Sequence, residues 1–161
     1  MLATIIAEFA QPLRAMPTEI AVLRLAMAII LGGIIGLERE ISARPAGLRT
    51  HMMIALAASL LTIVTFEMLA LPSLAAVAEK SDPLRLIEAV TAGVAFLAAG
   101  TIFTSKGQVN GLTTGAGMWL AGAIGLACGM GQMQLAGMVT LLALLILTLV
   151  GWMTARLPKQ V

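Results

Sequence analysis

The chain has 161 residues, of which 60% are hydrophobic and only 11% charged. A soluble domain carries roughly 25% charged residues, so most of this surface faces something other than water. The net charge of +2 comes without a basic run or an aromatic-interleaved basic patch, which argues against nucleic acid as a partner. A lone cysteine, Cys128, excludes a disulfide framework and argues against a Cys-based metal site. With His51 as the sole histidine and Asp82 as the sole aspartate, paired-Asp and His-Glu-x-x-His chemistries are impossible. The sequence therefore points to no catalytic set, metal site or cofactor.

Residues 1–19 form a segment of their own. Leu2, Ile5, Phe9 and Leu13 fall near one helical face, with Glu8 and Arg14 elsewhere. The pattern fits an interfacial amphipathic helix or a frayed terminus. Met1 to Phe9 lacks a basic start and Glu8 breaks its apolar run, unlike a secretory signal.

A helix needs about 20 apolar residues to cross ~30 Å of hydrocarbon. Five stretches are candidates: Ile20–Leu37, Met52–Leu71, Leu84–Phe103, Leu112–Met130 and Leu135–Trp152. Their runs are unbroken rather than alternating, so strands are not expected. The sequence thus predicts an all-α polytopic bundle of about five spans over 20–152, with a short tail at 153–161. Ser81-Asp82-Pro83 opens the third span with a capping side chain and a proline. Lys106 to Gly111 reads as a polar turn.

Lys and Arg set the orientation. With five spans, one side holds Arg39, Arg44, Arg49, Lys106, Arg156 and Lys159, and the other Arg14, Lys80 and Arg85. The positive-inside rule makes the first side cytoplasmic, with the N-terminus outside and the C-terminus inside.

Three charges fall inside the predicted spans, Arg24, Glu67 and Glu88, each four residues from the outer end. At 1.5 Å per residue they share a depth of about 6 Å. A charge in hydrocarbon is costly unless paired. The cluster reads as a structural ion-pair group, as a cation or proton site, or as side chains reaching the interface. Glu88 leads the row Ala92, Ala95, Ala99, and Arg24 leads Ala28, Gly32, Gly36. Gly117, Ala121, Gly125 and Gly129 form a third small-residue row. Such rows mark close helix contact in membranes. At the cytoplasmic face, Glu38, Arg39, Glu40, Arg49, His51, Lys106 and Asn110 form a second polar centre, either solvated loop charge or a docking surface for another protein.

Several motifs occur together in order: Gly36-Leu37-Glu38-Arg39-Glu40, Arg44-Pro45-Ala46-Gly47-Leu48-Arg49-Thr50, Asp82-Pro83-Leu84-Arg85, Gly93 to Gly100, and Val109-Asn110-Gly111-Leu112-Thr113-Thr114. Trp119 and Ala123 to Gly129 follow. Jointly, over about residues 20 to 151, they resemble the membrane domain of the MgtC/SapB family of bacterial inner-membrane proteins. The resemblance implies a multi-pass inner-membrane location and a role in adaptation to low magnesium and, in some bacteria, virulence. It implies action through other membrane machinery, the proton-translocating ATP synthase among them, rather than magnesium transport by the protein itself. It places Glu38, Arg39, Gly47, Arg49, Asp82, Arg85, Gly93, Phe96, Gly100, Asn110 and Gly111 on the family's motif positions, with Gly93, Phe96 and Gly100 in helix packing. Ala95 and Ala98 stand where the family has glycines, and the C-terminal soluble domain of some members has no counterpart before Val161.

Two functions compete: a non-enzymatic regulator that binds other membrane proteins, and a small oligomeric channel or carrier using the intramembrane charges. The bilayer is the expected surrounding in both, with a homo-oligomer possible in either.

Overall fold

The computed structural model describes residues 1, 2, 6, 11–74, 82, 84–105 and 107–155. The amphipathic face expected before Gln11 lies largely outside the described residues, as do Lys80, Ser81, Pro83, Lys106 and the tail beyond 155.

The chain folds as an all-α membrane bundle. Helix α1 runs Thr18–Ile41, α2 Leu48–Leu69 and α3 Leu84–Ala99. A short hairpin follows, β1 Phe103–Ser105 and β2 Gln108–Asn110. Helix α4 is Leu112–Gly129, and α5 is Met133–Leu145, continued by a π-helical stretch Ile146–Val150 into α6, Gly151–Ala155. Among the described residues, four segments are long and apolar enough to cross a membrane: Thr18–Ile41, Leu48–Leu69, Leu112–Gly129 and Met133–Met153.

The third expected span is a helix, but a shorter one. It has 16 residues, about 24 Å of rise, and stops at Ala99 rather than Phe103. The reason is local. Gly100 interrupts the helix, and Thr101-Ile102-Phe103-Thr104 is rich in β-branched and aromatic residues that favour strand. Phe103, Thr104 and Ser105 pair antiparallel with Asn110, Val109 and Gln108. The hairpin corrects the expectation of no strands, because an apolar run shows hydropathy and not backbone state.

Helix α4 is the centre. It buries eleven residues of its eighteen, whereas α3 buries only Val90, Val94 and Ala98. One apolar core joins α2, α3 and α4 through Ile54, Ala58, Val94, Ala98, Met118 and Ala121. A second joins α1, α2, α4 and α5 through Ala28, Ile35, Ala55, Ile124, Cys128 and Ala136. The large exposed side chains of α5, among them Leu141, Leu142 and Leu145, form the surface that suits lipid.

Glycines set the helix spacing. A Cβ on Gly32 would fall 2.6 Å from the Ala55 Cβ, and one on Gly36 2.8 Å from the Leu48 Cα. A Cβ on Gly125 would fall 2.8 Å from the Ala55 Cα, and one on Gly129 2.7 Å from the Ser59 carbonyl oxygen. Thus α2 packs closely on both α1 and α4, running parallel to α4, while α1 and α4 also touch each other. Gly93 and Phe96 lie elsewhere: no atom stands within 4 Å of a Cβ on Gly93, and Phe96 is 81% exposed. Gly93 lines an open apolar groove between α3 and α2, shared with Met53, Ala57 and Leu61, and α3 makes its buried contacts through Val90, Val94 and Ala98, spaced four residues apart. Gly100 meets only carbonyl oxygens of its own helix end, Leu97 and Phe96.

Candidate functional site

Helix α1 ends in a polar junction. The side chain of Arg39 is 4% exposed and that of Glu38 is 14% exposed. The Glu38 carboxylate accepts from Nε and Nη2 of Arg39 and, at 2.9 Å, from Oγ of Ser42. Glu40 reaches the next helix, where its Oε2 accepts the Leu48 amide at 2.9 Å. A carboxylate thereby sits at the positive end of α2. Gly47 lies directly beneath it, with the Glu40 Cδ 2.8 Å from where a Cβ would stand.

His51 is fully buried one turn further on, with Nδ1 2.8 Å from the Gly47 carbonyl oxygen. A carbonyl only accepts, so Nδ1 carries the proton, an assignment made from the hydrogen bond. The other ring nitrogen, Nε2, is buried without a partner among the described residues. It faces Gly117, whose Cβ would lie 3.1 Å from Nε2 and 4.0 Å from the Arg39 Cδ. Glu38, Arg39, Gly47, His51 and Gly117 thus converge from α1, α2 and α4.

Two further members of that polar centre, Arg49 and Asn110, stay outside. Arg49 is exposed on the first turn of α2. Asn110 is exposed in β2, where Nδ2 donates to the Gln108 carbonyl at 3.2 Å. Gly111 does backbone work. Its φ is +87°, and a Cβ would stand 2.8 Å from the Thr101 carbonyl carbon, so only glycine fits where the hairpin meets α4.

The three intramembrane charges are not brought together. Nη1 of Arg24 donates to the Gly129 carbonyl at 2.7 Å. That carbonyl belongs to the end of α4, where Gly131 (φ +83°) donates to the Cys128 carbonyl and Gln132 to that of Ala127. The pattern is a Schellman cap, and Arg24 takes a helix-end carbonyl the cap leaves over. The Glu67 carboxylate accepts the amides of Arg14 and Ala15, each at 2.8 Å, and so ties the turn before α1 to the end of α2. Glu88 is exposed on α3 and has no side-chain partner among the described residues. The shared depth fails because helix ends moved: α1 starts at Thr18 and α2 stops at Leu69, giving depths of about 9, 3 and 6 Å. On the same side Asp82 caps α3, its Oδ1 accepting the Leu84 amide at 2.9 Å, and Arg85 is exposed.

Replacing Arg24 by leucine is expected to lower stability by about 1.5–3 kcal/mol, the scale of a hydrogen bond to a charged group. Arg24→Lys should recover part of it. Thermal denaturation in detergent checks both.

Four long apolar helices enclosing a glycine-spaced centre define a polytopic α-helical membrane protein. A sequence model described as the MgtC family matches residues 25–156, and the chain belongs to that family. It is 35% identical over 143 residues to the "Putative magnesium transporter YhiD" of Escherichia coli K12, covering 86% of this chain and 64% of that one. It is 40% identical over 116 residues to "Protein MgtC" of Brucella abortus, covering 72% of this chain and 45% of that one. "Protein SrpB" of Synechococcus elongatus is 36% identical over 133 residues, covering 78% of this chain and 71% of that one. The chain thus spans less than two thirds of the length of the Escherichia coli and Brucella relatives. No solved structure gives a significant match.

Proposed function

We propose that this chain is a bacterial inner-membrane regulator. It acts without enzymatic chemistry, by contact with other membrane machinery, in adaptation to magnesium limitation and, in some bacteria, in virulence. The observation that carries this reading over a carrier is the use of Arg24 and Glu67. Both charges hold backbone groups at helix ends and serve as structural ties. Exposed charge at the ends of the bundle, Arg44 and Arg49 on one side, supplies contacts for a partner. The ATP synthase and a second copy of this chain are the partners to test first.

The test is growth of a deletion strain across a magnesium series. The expected result is a defect confined to low magnesium, rescued by the wild-type gene and not by Arg49→Glu at equal abundance. Full rescue by Arg49→Glu would remove the docking role of that face.

A second reading, a small channel or carrier, draws on the printed name of the Escherichia coli relative and on Glu88, exposed on an apolar helix. It requires magnesium flux into liposomes that disappears with Glu88→Gln. Such flux would displace the regulator reading.

A further inference from the structure

A groove of about 620 Å³ opens beside the polar junction, between the C-terminal turns of α1 and the last helical segment. Its walls are apolar: Ile34, Leu37 and Ile41 on one side, Leu144, Leu147 and Trp152 on the other. Its rim at one end is polar, formed by Glu38, Arg39, Ser42 and Arg44. We propose that this groove binds one anionic phospholipid, with the headgroup phosphate at Arg44 and an acyl chain lying along Leu37, Leu144 and Leu147.

Charge favours this occupant. The carboxylate of Glu38 is already taken up by Arg39 and Ser42. The rim then holds two guanidiniums against one carboxylate. Its surplus is one positive charge, which matches the single negative charge of a phosphodiester. Arg44 carries that surplus, because Arg39 is engaged with Glu38.

The backbone holds Arg44 in place. Helix α1 ends in a Schellman turn, in which Ala43 (φ 52°) donates to the Glu40 carbonyl and Arg44 to the Arg39 carbonyl. A non-glycine residue is strained in this left-handed position. The turn folds the chain back over the helix end and starts Arg44 beside the groove instead of beyond it.

Shape supports the same source. A free phosphate uses only the rim and leaves the long apolar wall uncovered. A phospholipid fills both, and a membrane-embedded chain meets it at the bilayer's own concentration. The volume lies in the range of small-molecule sites, about 300–1,000 Å³. Trp152, at the wall, places an amphipathic ring at the level where aromatic side chains meet headgroups.

The full chain, carrying Trp119→Phe so that Trp152 alone fluoresces, is placed in bilayers of phosphatidylglycerol and phosphatidylcholine at one fixed ratio. In one preparation the phosphatidylglycerol acyl chains are brominated, and in the other the phosphatidylcholine chains. Total membrane charge is then identical, and only the identity of the quencher changes. The expected result is a preference for brominated phosphatidylglycerol at Trp152 of about fivefold, the scale of one basic side chain against an anionic lipid. Arg44→Gln should bring the preference close to one. Arg49→Gln, at the same end but outside the groove, should leave it unchanged.

Equal quenching in the two preparations overturns the proposal. So does an Arg49→Gln loss as large as that of Arg44→Gln, which would mean diffuse attraction to the basic end of the bundle. Excess inorganic phosphate, against chloride at matched ionic strength, should not displace the lipid. Displacement would assign the rim to a free anion and overturn the lipid as occupant.

Discussion

Gly125→Ala is expected to lower the thermal denaturation midpoint of the detergent-solubilised protein by roughly 5–10 °C, corresponding to a loss near 3 kcal/mol for a chain of this size. Gly93→Ala should leave the midpoint almost unchanged. At Gly125 the added methyl meets the Ala55 Cα at 2.8 Å and its carbonyl carbon at 2.9 Å. Carbon atoms settle about 3.5–4.0 Å apart, and backbone cannot rotate out of the way as a side chain can. Helices α2 and α4 must therefore separate by about 1 Å to restore ordinary contact. The separation does not stay local, because Ala55 is also the residue against which Gly32 packs. Moving α2 off α4 therefore also disturbs its close contact with α1. Lipid tails are as apolar as leucine, so close van der Waals contact carries much of helix association in a bilayer. At Gly93 nothing stands within 4 Å, and the new methyl gains no neighbour. Equal losses for the two variants would mean that the crossing at Ala55 does not hold the bundle together.

The rows of small residues were legible for a physical reason. In membranes small side chains let backbones approach, so Gly32, Gly36 and Gly125 point to close crossings from the sequence alone. The same reasoning misjudged α3. Its row Ala92, Ala95, Ala99 is small but exposed, and the packed row is Val90, Val94, Ala98. Small residues permit close approach without requiring it, and a helix that buries so little offers several rows of similar composition. The long apolar helices were visible because their composition alone demands lipid.

The charge pairings were not visible, and for a different reason. Opposite signs at similar sequence depth suggested that Arg24, Glu67 and Glu88 meet. The structure satisfies Arg24 with a carbonyl and Glu67 with two amides. Backbone donors and acceptors leave no mark in a sequence, so pairing reasoned from side chains overlooks them. One signal was available for Arg24: Gly129-Met130-Gly131-Gln132 has a glycine where a Schellman cap needs positive φ, and a capped helix end is a natural partner for a guanidinium.

Arg39→Leu is expected to cost about 3 kcal/mol or more, the scale of breaking a buried ion pair by removing one partner. The double variant Glu38→Gln/Arg39→Leu should be less destabilised than Arg39→Leu alone. The argument rests on what remains behind. Without Arg39, the Glu38 carboxylate keeps one side-chain hydrogen bond, from the hydroxyl of Ser42, and the more distant charge of Arg44, while its side chain is 14% exposed. Neutralising Glu38 removes a largely buried charge that has lost its direct partner, so the two changes should couple by about 1–3 kcal/mol. Thermal denaturation of the single and double variants measures the coupling, and strict additivity would show that the pair is not what holds the junction. Arg49 provides the contrast. It shares a motif with Gly47 but is exposed, so Arg49→Glu should leave the midpoint within about 0.5 kcal/mol of wild type. If Arg49→Glu nevertheless abolishes growth at low magnesium, stability and function separate between two arginines at the same end of the bundle. Arg39 then serves the fold of the junction, and Arg49 serves what the junction presents to a partner.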